Sequence, residues 1–153
     1  MANPDSVGQL YLDSFSNGRI GIIRATALNT SGNGATTNIT IPLCSGGLTN
    51  GGAVANSGGV IIRRITVQSP SGSVASANVS ISATSNGANL ITANTVLSSV
   101  NAAGQYQDIT VAAPYSNTVV SGSVTSSLYV NINTVAGNAN TVDIIVWGDV
   151  VSF

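Results

Sequence analysis

Residues 60–87 read Val60-Ile61-Ile62-Arg63-Arg64-Ile65-Thr66-Val67-Gln68, then Ser69-Pro70-Ser71-Gly72, then a run closed by Ser85-Asn86-Gly87. The first nine residues are rich in β-branched side chains and predict a strand. Pro and Gly then stand in favoured places for a turn. In the run that follows, Ala75, Ala77, Val79, Ile81 and Ala83 alternate with Ser76, Asn78, Ser80 and Ser82. Successive side chains of a strand point to opposite faces, so this period of two lays one face on a core and leaves the other polar.

The same reading extends in both directions. Upstream, Arg19 to Leu28 and Thr36 to Leu43 read as strands, with Ile39, Ile41 and Leu43 alternating against Thr40 and the strand-ending Pro42. A loop containing Ser45-Gly46-Gly47 and Asn50-Gly51-Gly52 separates them from residue 60; its length marks it as functional or mobile. Downstream, Leu90 to Leu97 and Tyr106 to Ala112 follow, the second with Ile109 and Val111 inward and stopped before Pro114. Leu128, Val130 and Ile132 then alternate with Tyr129, Asn131 and Asn133, and Thr141 to Val151 is apolar on both faces over Ile144-Ile145-Val146-Trp147. About eight strands at even spacing, with no amphipathic helix between them, predict an all-β, antiparallel β-sandwich of jelly-roll type. The nearest rival, an immunoglobulin-like sandwich, lacks its Cys…Trp…Cys pattern. Residues 19–153 form one sandwich domain; residues 1–18, with Leu10-Tyr11-Leu12 and Phe15 among polar residues, read as an N-terminal arm or an edge strand.

Composition narrows the chemistry. Of 153 residues, 70 are Ser, Asn, Thr or Gly, and Lys, Glu and His are absent. Without His there is no Ser-His-Asp or Cys-His pair and no imidazole ligand. The single Cys44 makes neither an intrachain disulfide nor a multi-cysteine zinc site, and its place at the end of an apolar stretch reads as a buried thiol. Four Arg supply no basic tract for phosphate backbones, so no nucleic-acid partner is expected. No apolar run approaches the roughly 20 residues that span a bilayer, and Met1 to Ser6 lacks the basic and apolar segments of a signal peptide. The expectation is a soluble protein made in a cytoplasm, with no membrane partner and no cofactor. The Gly-rich stretches lack a phosphate-binding Lys, and the three Asn-x-Ser/Thr triplets are what so much Asn, Ser and Thr produces by chance.

The low charge is itself a physical statement. Charged residues make up 6% of the chain and the net charge is −1, whereas a designed soluble surface carries roughly 25–35%. Lys, the usual blunter of sheet edges, is missing. Both facts point to a surface covered in an assembly, with a homotrimer as the expected form.

Two stretches carry a resemblance. Ile61 to Ser73, with its Ile-Thr-Val-Gln-Ser-Pro-Ser-Gly-Ser sequence, and Leu128 to Thr134 with Thr141 to Gly148 resemble segments of the head decoration (cement) proteins of tailed bacteriophages. The likeness covers about residues 60–151. It implies a jelly-roll fold, trimers at local threefold positions on the capsid exterior, the major capsid protein as partner, and no catalytic site. The expected role is therefore a structural virion protein, not an enzyme. The alternative is a tail or fibre module recognising a host saccharide through loops 44–59 and 99–105, with Tyr106 and Tyr115 the aromatics nearest those loops.

Individual residues also admit plainer roles. Asp143 and Asp149, six apart on one strand, stand about 20 Å apart, beyond the roughly 5–9.5 Å of glycosidase carboxylates. No Asp-x-Asp spacing supports a calcium loop. In the doublet Arg63-Arg64, strand alternation sends one Arg toward the interior or its rim, to pair across a subunit boundary or to reach water. Trp147 reads as a core aromatic or one buried between subunits. The interface candidates are Leu10, Tyr11, Leu12, Phe15, Arg63, Arg64 and Trp147.

Overall fold

The computed structural model describes residues 18–29, 39–43, 58–116, 120–121 and 127–152. These form nine strands and no helix: β1 (Gly18–Ala27), β2 (Ile39–Pro42), β3 (Gly58–Gln68), β4 (Asn78–Ser82), β5 (Thr95–Val96), β6 (Gln107–Ile109), β7 (Val120–Ser121), β8 (Ser127–Thr134) and β9 (Thr141–Ser152). The pairing is nested about the connection between β4 and β5. β4 pairs β5, β3 pairs β6, β2 pairs β8 and β1 pairs β9, all antiparallel. The chain is thus one long hairpin, wound so that alternate pairs fall in opposite sheets. One sheet has the order β1-β9-β3-β6 with the short β7 beside β3, and the other has the order β2-β8-β4-β5. That is the strand order of a jelly roll, with the two-residue β7 as an addition to the eight strands expected.

The period of two explains the core. Ile20, Ile62, Ile65, Val67, Ile144 and Val146 face inward from the five-stranded sheet, and meet Ile41, Val79, Ile81, Leu128, Val130 and Ile132 from the other. Each such side chain stabilises the fold by about 1.5–3 kcal/mol relative to exposure.

The sheets are also joined at their rims. Gly21 of β1 bridges Leu43 just beyond β2, and Thr92, before β5, bridges Val111, just beyond β6. A Cβ at Gly21 would stand 2.7 Å from Leu43 Cδ2, so the first rim depends on glycine. The outer strand β1 carries two register shifts, between Arg19 and Gly21 and between Ile23 and Thr26. Bulges of this kind blunt an edge without Lys. At the second shift Ala25 takes φ 50°, held by its N–H donating to Asp143 Oδ1 at 2.9 Å. Left-handed backbone costs a Cβ-bearing residue about 1–2 kcal/mol. Ala25→Gly is therefore expected to stabilise the protein by about 1 kcal/mol, raising the thermal midpoint by about 2–4 °C. A calorimetric midpoint at or below that of the parent would show that the strain is illusory.

Several strand expectations need correction. The strand expected from residue 75 begins only at Asn78, because Ala75 and Ser76 lie in a turn. Its supposedly solvated face is closed: Ser80 and Ser82 are 2% and 0% exposed. Asn131 of β8, 4% exposed, donates to Ser82 Oγ at 3.1 Å and Ser80 Oγ at 3.4 Å. Asn133 donates to Ser80 Oγ at 3.2 Å and Asn94 Oδ1 at 3.1 Å. Small polar side chains here satisfy one another beneath the surface. The expected strand from Leu90 to Leu97 keeps only Thr95–Val96, and that from Tyr106 to Ala112 only Gln107–Ile109, because Ile91 and Thr92 before the one, and Val111 and Ala112 after the other, bond to each other across the rim. The turn after β3 meets the start of β9 and the loop before it. Ser71 N–H donates to the Thr141 carbonyl at 2.9 Å, and Asn138 and Asn140 both donate to the Ser73 carbonyl.

Candidate functional site

The outward face of the five-stranded sheet gathers the chain's described charges. Arg19 and Arg24 lie on β1, Arg63 and Arg64 on β3, Asp108 on β6, and Asp143 and Asp149 on β9. The four strands of the opposite sheet contain no charged residue.

A bulge arranges this face. On β3, Ile62 is opposite Gly148 and Arg64 is opposite Trp147, leaving Arg63 as the extra residue. The inward phase therefore runs Val60, Ile62, Ile65, Val67, and both Arg63 and Arg64 are exposed. Of the expectation that one Arg points to the interior or its rim, the interior half does not hold: strict alternation fails where one strand carries an added residue. Gly148 makes the bulge feasible, since a Cβ there would meet the Ile61 carbonyl oxygen at 1.9 Å.

Outward side chains line up across the strands. Arg63 donates to Asp149 Oδ2, with Nε at 2.9 Å and Nη2 at 2.8 Å. In the next row, Arg19 and Arg64 flank Trp147 in register, and the Arg64 guanidinium lies 5.1 Å from the indole centroid. The Trp147 indole N–H donates to Thr66 Oγ1 at 3.2 Å, and that hydroxyl donates to Asp108 Oδ1 at 2.7 Å. Arg64 Nε stands 3.9 Å from the same carboxylate oxygen. Beyond lies Ile145, opposite Ile22 and Thr66, and 4% exposed despite facing outward. Asp143 closes the face, pairing with Arg24 at 3.6 Å.

Six of the seven described charges thus neutralise one another, and Arg19 makes no ion pair among the described residues. Exposed pairs add only about 0–1 kcal/mol each to stability, and the Arg64–Trp147 contact a similar amount. What the arrangement provides is an indole held in place on the outer face by Arg64 and Thr66.

No family model, curated protein or solved structure matches this chain. Of the interface candidates, Arg63, Arg64 and Trp147 are brought onto this one face. Trp147 is half-buried on the outside of its sheet, which excludes the core reading. Leu10, Tyr11, Leu12 and Phe15 lie outside the described residues, as do Cys44 and loop residues 44–57. The loop at 101–105 is exposed, and Tyr106 beside it is 64% exposed, whereas Tyr115 packs partly against the core. Sequence reading missed Thr66, Asp108, Arg19 and Gly148. Only strand register places the first three around Trp147. For Gly148, a lone Gly amid a strand pattern is the available signal of close backbone approach.

Proposed function

We propose that this protein is a structural, non-enzymatic virion subunit that binds the outer surface of a phage capsid and stabilises it, as a homotrimer on the major capsid protein. The observation that carries this reading is the division of charge between the sheets. One face holds the described charges, six of the seven paired with one another; the strands of the other sheet have no charged residue. Neutral, hydrogen-bonding surfaces suit close and repeated contact, because they enter an interface without stranding a charge. The likeness of residues 60–151 to decoration proteins supplies the phage capsid as the partner and the capsid exterior as the location. Stabilisation is non-covalent: many modest contacts, multiplied by symmetry, resist expansion of the shell.

Native mass measurement of particles tests the proposal by counting copies. Hundreds per particle are expected, and raising salt should remove few of them, since contacts of this kind are weakly screened. A few dozen copies, or loss at moderate salt, would overturn it.

The exposed Tyr106 favours a second reading, a tail or fibre module that stacks a saccharide ring on that side chain. Under it, Tyr106→Ala abolishes adsorption to host cells, while under the capsid reading the same variant occupies particles normally and leaves adsorption unchanged.

A further inference from the structure

The turn after β4 holds a reactive pair of residues in an unreactive form. Asn86 is exposed and is followed by Gly87. An asparagine in that position readily loses its amide, because glycine has no Cβ to shield the next main-chain nitrogen. The Gly87 nitrogen attacks Asn86 Cγ to form a cyclic imide. The Cγ–Nδ2 bond breaks, and ammonia leaves with the proton that Gly87 N gives up. Water then opens the ring at either carbonyl. One product is Asp; the other is its isomer, with the main chain routed through the side-chain carbon.

In the folded chain the groups this step needs are engaged. Gly87 N–H donates to the Thr84 carbonyl at 3.1 Å, so the nucleophile keeps its proton. Asn86 Oδ1 accepts from Ala88 N–H at 3.0 Å and lies 2.8 Å from Thr84 Oγ1. That hydroxyl has one hydrogen, which it shares between Asn86 Oδ1 and the Ala88 carbonyl oxygen, 2.7 Å away. Ring closure has to turn the Asn86 side chain out of these contacts. The turn is also anchored from below. Ser82 Oγ donates to the Thr84 carbonyl at 2.9 Å, and Ala83 N–H donates to the Asn89 carbonyl at 3.0 Å. Ser82 is fully buried and accepts from Asn131 Nδ2 at 3.1 Å. The polar ladder of the four-stranded sheet therefore extends into the turn.

We propose that Asn86–Gly87 is a latent modification site: the folded turn suppresses imide formation, and local opening of the turn releases it. The inference does not depend on the capsid reading. Each sufficiently long opening then leaves a permanent negative charge beside a sheet whose strands carry none. The two products differ in what the turn accepts. Asp offers the same acceptor oxygen as Asn86, whereas the isomer adds a carbon to the main chain and pulls Gly87 N–H away from Thr84.

Peptide mapping of the full chain, incubated at mildly alkaline pH, measures conversion at residue 86 in the folded state and in urea. The folded rate is expected to be lower by about thirtyfold or more, as for a segment that reacts only when open. Thr84→Val removes the hydroxyl and is expected to raise the folded rate about fivefold or more, while Thr84→Ser should stay within about twofold of the parent. Both variants are scored on chains whose cooperative melt is intact; the parent comparison needs no substitution. A folded rate within about threefold of the rate in urea overturns the proposal. So does a Thr84→Val rate equal to that of the parent, or a Thr84→Ser rate as fast as that of Thr84→Val.

Discussion

Gly148→Ala is expected to lower stability by about 3 kcal/mol or more, the upper end of what overpacking costs. The added methyl would stand 1.9 Å from the Ile61 carbonyl oxygen and 3.0 Å from Ile20 Cδ1. A side chain can rotate away from such a contact, but the Ile61 oxygen is main chain in the middle of β3. Relief requires β9 and β3 to part at the bulge, and with it the arrangement that turns Arg63 and Arg64 outward. At about 2–4 °C per kcal/mol for a domain of this length, the thermal midpoint should fall by about 6–12 °C. Gly104→Ala is the control: nothing lies within 4 Å of its Cβ, though φ is +81°, so its cost is only the left-handed penalty of about 1–2 kcal/mol. If both variants melt together, close approach at Gly148 does not constrain the fold.

Asn131→Asp is expected to have an effect of similar size with a pH dependence of its own. The substitution takes two amide hydrogens from Ser80 and Ser82 and places a carboxyl where the side chain is 4% exposed, in a sheet with no cation on its strands. Burying an unpaired carboxylate costs several kcal/mol, so the folded state holds the proton to higher pH than the unfolded chain does. At neutral pH the unfolded chain gains stability by ionising and the folded one does not, so the loss there should be about 3 kcal/mol or more. As pH falls into the ordinary carboxylate range both states are protonated, and the loss shrinks to that of the missing hydrogen bonds, about 1–2 kcal/mol. Urea midpoints of parent and variant at neutral and acid pH measure the difference. A loss that does not change with pH would mean the new carboxyl reaches water.

These two positions show where sequence reading works and where it stops. The inward set Ala77, Val79, Ile81 and Ala83 was legible because a buried strand face imposes a period of two. The step from Ile62 to Ile65, in a run otherwise spaced by two, also carries the signature of the bulge; treating Arg63 and Arg64 as strict neighbours hid it. The polar ladder was not legible, because Ser80, Ser82 and Asn131 look the same on a wet face and under a covering of neighbours. Short β5 and β6 escaped for a related reason: Ile91 and Thr92 bond to Val111 and Ala112 across the rim, where side-chain pattern has little influence. At the site, Arg63, Arg64 and Trp147 were each conspicuous, yet their meeting with Thr66, Asp108 and Arg19 depends on register between strands more than 40 residues apart in the chain. The proposal of a capsid partner rests on resemblance alone, since no spacing in the sequence names a ligand.

The pairing of β1 with β9 has a mechanical side. Gly18, where β1 begins, lies opposite Gly148, and β9 ends four residues later at Ser152. Chain entry and exit are thus neighbours at the same end of one antiparallel pair. Tension applied between those two points would open the pair like a zipper, loading its hydrogen bonds singly and yielding at low force. Tension applied across the faces of the sandwich meets both sheets and their rim bridges together. A molecule wired this way bears load well through its surfaces and poorly through its ends, which sets where an attached cargo can be pulled without undoing the fold.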